Sequence, residues 1–93
     1  MKATLRKEDM SYYVSDADMI RFICENSDMK WNDVCDFVRT HNITSCEYGP
    51  AFWEKKEMQS ATLNEYNSEQ IKWVNAFFEA HPWIESMMIV FDD

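Results

Sequence analysis

Ninety-three residues, 46% of them apolar and 15% aromatic, are enough for one compact core over residues 1–93 and too few for a substrate cleft between two domains. Seventeen acids against nine bases set the net charge at −8, a field that repels nucleic acid and anionic membrane and draws basic protein surfaces. A single glycine, Gly49, excludes glycine-rich phosphate loops and leaves little for tight hairpins, so a mainly α chain is expected.

The opening stretch MKATLRKEDM has basic residues but no apolar run behind them, the pattern of a chain without a secretory signal. Nowhere does an apolar run approach the roughly 20 residues of a membrane span, so a soluble, cytoplasmic protein is expected. Ser15 or Asp16 can cap a first helix reaching to about Asn26, with Met19, Ile20, Ile23 and Cys24 as its apolar stripe. Asp16 and Asp18 fall in its first turn, where the helix dipole favours negative charge. Ser27 and Asp28 start a second helix, in which Trp31, Val34, Cys35 and Val38 recur at i, i+3, i+4 and i+7. Such a helical pair also occurs in helix-turn-helix DNA readers, but Asp33 and Asp36 would meet phosphates with the wrong sign.

Residues 42–49 read as a loop, and Pro50 suits the first position of a third helix holding Phe52, Trp53, Lys55, Lys56 and Met58. Through Gln59, Ser60, Ala61 and Thr62 a break and a continuing helix fit equally well. Asn67 or Ser68 caps the clearest helix, which presents Ile71, Val74, Phe77 and Phe78 on one face and ends before Pro82. The run from Trp83 to Phe91 is short for a helix and reads as a strand. Its partner at the other end of the chain is Met10 to Val14, paired antiparallel; lying extended across the helices is the alternative. The expected fold is therefore mainly α, or α+β where that pair forms, with three to four helices and a small terminal antiparallel β-pair.

Cys24, Cys35 and Cys46 are odd in number and evenly spaced, which fits reduced, buried thiols better than disulfides or zinc. His41 and His81 each close a predicted helix, where an imidazolium suits the dipole. No nucleophile elbow, metalloprotease motif or calcium loop is present, so no enzyme, cofactor or metal is expected.

Binding is the remaining class of function. Trp73 falls off the stripe of its helix and Trp53 off its own, which makes both candidate exposed anchors. The candidate charged positions are Glu25, Asp33, Asp36, Glu54, Glu57, Glu65, Glu69 and Glu79. Carboxylates three to four residues apart on a helix advance about 4.5 to 6 Å, a workable match over several turns to phosphates about 3.4 Å apart along a strand. In size, acidity, and aromatic and methionine content the chain resembles the small acidic inhibitors that phages use against host defences, including anti-restriction and anti-CRISPR DNA mimics. That resemblance implies occupation of the basic groove of a host nuclease or DNA-binding protein in the host cytoplasm. The alternative is an adaptor or regulatory subunit that meets a protein through an apolar patch near Trp53, Trp73 or the C-terminal strand, with room for a homodimer.

Overall fold

The computed structural model describes residues 3–6, 11–47 and 49–91. Strands β1 (Ala3–Arg6) and β2 (Ser11–Ser15) lead into helices α1 (Asp16–Glu25) and α2 (Trp31–Thr40). A short ribbon of β3 (Ser45–Cys46) and β4 (Gly49–Pro50) follows, then β5 (Phe52–Glu54), α3 (Lys55–Gln59), α4 (Ser68–Ala80) and β6 (Ser86–Val90). The fold is thus α+β, and its strands amount to more than a terminal pair. Four of them form one sheet in the order β1-β2-β6-β5. No helix among the described residues is long and apolar enough to cross a membrane.

The helices begin where local chemistry starts them. Ser15 caps α1, its hydroxyl accepting from the Ala17 N–H at 3.2 Å, and Asp16 and Asp18 occupy the first turn. Asn67 caps α4 through a capping box: its Oδ1 accepts from the Gln70 N–H at 2.8 Å, and Gln70 Oε1 accepts from the Asn67 N–H at 2.9 Å. The same two side chains donate onward to the His41 and Asn42 carbonyls, each at 3.0 Å, and so tie the start of α4 to the end of α2. There Asn42 adopts a φ of 55°, and the Ile43 N–H closes back onto the Val38 carbonyl at 2.9 Å, an arrangement that ends a helix in a left-handed residue. Asn67→Ala removes a cap worth about 1 kcal/mol and is expected to lower Tm by about 4–8 °C; an unchanged thermal melt by circular dichroism would show that the box holds nothing together.

Three expectations are corrected. The strand at residues 11–15 does pair with the C-terminal strand, but in parallel, with Tyr12 opposite Met87 and Val14 opposite Ile89. All four helices lie in the connection between the two strands, a long crossover of the kind parallel pairing requires. Met10 lies outside the described residues. Pro50 starts no helix: it lies in β4 opposite Ser45, Phe52–Glu54 is a strand antiparallel to β6, and helix appears only from Lys55. The second helix begins at Trp31 with Lys30 as its N-cap; Ser27 instead accepts from the Met29 N–H at 3.2 Å in the connection.

The core lies between the sheet and the helices. Tyr12, Val14, Trp53, Met87 and Ile89 face it from the strands, and Met19, Ile23, Val34, Val38, Val74, Phe77 and Phe78 from α1, α2 and α4. Alternation along a strand sends every second side chain to the opposite face, where Tyr13, Phe52, Met88 and Val90 are exposed. Among the cysteines, Cys24 and Cys35 are half-buried and Cys46 is exposed; all three are free thiols. Burial of every thiol was therefore the wrong expectation for Cys46, which sits in the narrow β3–β4 ribbon with its Sγ 3.8 Å from the Pro50 carbonyl.

Candidate functional site

The uncovered face of the sheet carries a row of large apolar side chains. Met88 on β6 is opposite Tyr13 on β2 and Phe52 on β5. Tyr13 and Met88 are each 37% exposed and Phe52 is 47% exposed. Directly opposed residues have Cβ atoms about 4.5–5.5 Å apart, so the three side chains form one continuous band across the strands. Val90, two residues along β6 and opposite Ser15, extends it. Beside the band, Ser86 on β6 is opposite Glu54 on β5.

Charge borders this face at the β5 end. A shallow groove of about 240 Å³ is lined by Glu54, Lys56, Glu85 and Ser86. Lys55 reaches Glu85 at 3.7 Å and donates to the Pro82 carbonyl at 2.9 Å, which anchors α3 against the turn preceding β6.

The candidate acids divide into groups. Glu54, Glu57 and Glu65 gather around the Tyr66 phenol. Its hydroxyl donates to Glu57, and that bond, burial, and the charges of Glu57, Glu65 and Glu54 push its pKa up from 10.0 to about 12. Glu65 Oε1 also accepts from the Thr62 N–H at 3.2 Å. The other five are spread over the helices: Glu25 ends α1 beside a small cleft with Asp18, Arg21, Phe22 and His81. Asp33 and Asp36 are exposed on α2, while Glu69 is half-buried in the first turn of α4 and Glu79 exposed near its end. No interaction among the described residues joins these five to the Tyr66 group.

The raised Tyr66 pKa has a signed consequence. Between pH 10 and about 12 the folded chain keeps a proton that the unfolded chain has released, so stability present below pH 10 is lost as the pH rises through 12. Ultraviolet titration is expected to show one tyrosine ionising near pH 12, and Glu57→Gln to bring it back towards 10. A titration unchanged by that substitution would separate Tyr66 from the acidic group.

Neither tryptophan anchor is exposed. Trp53 and Trp73 are each 5% exposed. Trp53 is the inward residue of β5, where its Nε1 donates to the Ile43 carbonyl at 2.9 Å and Tyr66 packs on its ring. Trp73 is covered because α1 packs beside α4, setting Phe22 edge-on to it at 6.4 Å, with the Lys72 ammonium 4.9 Å from the ring centroid. The exposed aromatics among the described residues are instead Tyr13, Phe52, Trp31, Trp83 and Phe91. Once Phe52–Glu54 is a strand with Trp53 inward, its neighbour Phe52 must face outward. His41 and His81 are the C-cap residues of α2 and α4, as their positions suggested. His81 is buried, with its Nδ1 2.8 Å from the Phe77 carbonyl and its ring stacked on Phe77.

Compared with protein-family models, curated proteins and solved structures, the chain matches none.

Proposed function

We propose that this chain is a non-enzymatic protein-binding module whose open sheet face takes up a basic partner. The observation that carries this reading is the uncovered row Tyr13, Met88 and Phe52, extended by Val90, with Glu54 and Glu85 at its border. Apolar side chains clustered on an exposed face lose free energy to water until something covers them. Aromatic rows on open sheets also serve as stacking platforms for single-stranded nucleic acid, but those platforms need a cationic groove, and this chain carries −8. A second copy would bring two such charges together, whereas a basic partner is steered in by them.

A second reading is charge mimicry of DNA, of the type found in small phage inhibitors. It is favoured by the group of Glu54, Glu57 and Glu65 around Tyr66. Mimicry would then be local to the β5–α3 side of the molecule and would not extend over the whole surface.

Salt and DNA separate the two. With tagged protein in the native host's lysate, the open-face reading expects a partner that stays bound when salt is raised from about 0.1 to 0.5 M, where the Debye length falls below about 5 Å, and that free DNA does not displace. It also requires that this partner be lost when Phe52 and Met88 are replaced. Release by DNA and salt, together with indifference to those two substitutions, would overturn the open-face reading in favour of mimicry.

A further inference from the structure

The geometry of the open row limits what can cover it. Strand β2 is paired with β1 on one side and β6 on the other, and β6 with β2 and β5. These two central strands offer no free backbone edge to an added strand, so Tyr13 and Met88 can be met only side chain against side chain. Neighbouring strands lie about 4.8 Å apart, and Tyr13, Met88 and Phe52, opposite one another on three adjacent strands, therefore span about 9.6 Å. A helix repeats its apolar stripe at nearly that interval: positions i, i+4 and i+7 rise by about 6.0 and 4.5 Å, or about 10.5 Å in all. An extended arm laid across the strands reaches about 13 Å in three same-face positions and overshoots the row. Along the strands the row is short. Val90 lies about 6.6 Å beyond Met88 on β6, and Ser86, as far before it, is buried. One helix, about 10–12 Å across with its side chains, covers this area.

Charge selects the kind of helix. On the β5 side Glu54, Glu57 and Glu65 group around Tyr66, and Glu85 lines the bordering groove with Glu54. Against these four acids stand two bases, Lys55 and Lys56, a net of −2. On the open-face reading, on which this step rests, we infer that the occupant is a basic amphipathic α-helix of the partner. It lies across β2, β6 and β5 with apolar residues at i, i+4 and i+7 over Tyr13, Met88 and Phe52. Lysine or arginine on its flank stands beside Glu54 and Glu85. Met88, unbranched and adaptable, occupies the centre of the contact and accommodates an aliphatic neighbour.

The full chain is titrated with three designed peptides of about 16 residues, long enough for some four helical turns, and followed by backbone amide shifts. The first carries leucines at i, i+4, i+7 and i+11 among alanine and lysine. The second has the same composition with leucines at alternate positions, a strand pattern, and the third keeps the stripe with glutamate in place of lysine. The first is expected to shift the amides of Tyr13, Phe52, Met88 and Val90 saturably and to gain helical dichroism on binding. It should bind about tenfold or more tighter than either of the others at about 0.1 M salt. Phe52→Ser with Met88→Ser should abolish those shifts, and Glu54→Gln with Glu85→Gln should weaken binding by about threefold or more. Equal binding of the alternating peptide at the same amides overturns the helix while the open-face reading stands. Equal binding of the acidic peptide, or no saturable shift from the first, also overturns it, and the open-face reading is then decided by the captured partner's response to the Phe52 and Met88 substitutions. Shifts that persist after those two substitutions place the helix elsewhere and overturn the inference.

Discussion

Replacing Phe52 and Met88 together by serine is expected to lower partner affinity at least about a hundredfold while the protein stays folded. Large apolar residues at the centre of an interface each contribute about 2 kcal/mol or more on truncation, and about 2.7 kcal/mol corresponds to a hundredfold. Both side chains point away from the core, at 47% and 37% exposure. Their removal therefore costs the cross-strand contacts of Met88 with Phe52 and Tyr13, about 0.2–1 kcal/mol each, and a loss of Tm of no more than about 16 °C is expected. Isothermal titration calorimetry against the captured partner, paired with a thermal melt, separates the two effects. Affinity within about threefold of the unsubstituted chain would remove the open face from the interface. Trp31→Ala is the control: Trp31 is 43% exposed on α2, outside the sheet, and should leave binding unchanged.

Phe77→Ala is expected to have the largest effect on the fold itself. The ring is fully buried, meets Phe22 edge-on at 5.2 Å and stacks on His81 at 4.1 Å. A cavity of this kind costs about 3–5 kcal/mol, against a total stability of about 5–14 kcal/mol for a chain of this length. Tm should fall by about 15 °C or more, with loss of near-ultraviolet dichroism before loss of helical signal, as packing gives way first. The damage should centre on the α1–α4 seam, where Phe22 also touches Trp73 and His81. A melt within about 5 °C of the unsubstituted protein would mean that this aromatic cluster is not the keystone of the core.

Of the functional surface, the sequence showed the ingredients without their arrangement. Acidity was plain from composition, and Glu54, Glu57 and Glu65 were among the named positions. Only the turn from α3 into α4 places them around one phenol. The two tryptophans were misplaced for different reasons: Trp53 is the inward residue of a strand where a helix was expected, whereas Trp73 lies on a helix with neighbours on two sides, which buries more than one stripe. Residues 50–58 contain Lys, Glu and Met, good helix formers in any window. The first part is nonetheless a strand, because backbone groups thirty or more residues away complete its ladder. The Ile89 N–H donates to the Ala51 carbonyl at 2.9 Å and the Lys55 N–H to Glu85 at the same distance.

What the sequence determined by itself is what acts within a few residues: the Ser15 and Asn67 caps, the apolar periodicity of α1 and α4, and the stops at His41 and His81. Each depends on groups one helical turn apart, so the chain needs no distant partner to specify it. The tertiary structure alone decided that β2 and β6 run parallel, that β5 is a strand, and that Tyr13, Phe52 and Met88 are exposed together on one face of the sheet. Strand pairing and side-chain exposure are properties of two segments meeting, and either segment read alone is compatible with more than one outcome. The open row of Tyr13, Met88 and Phe52 belongs to this second class, because it exists only where three strands from distant parts of the chain come into register.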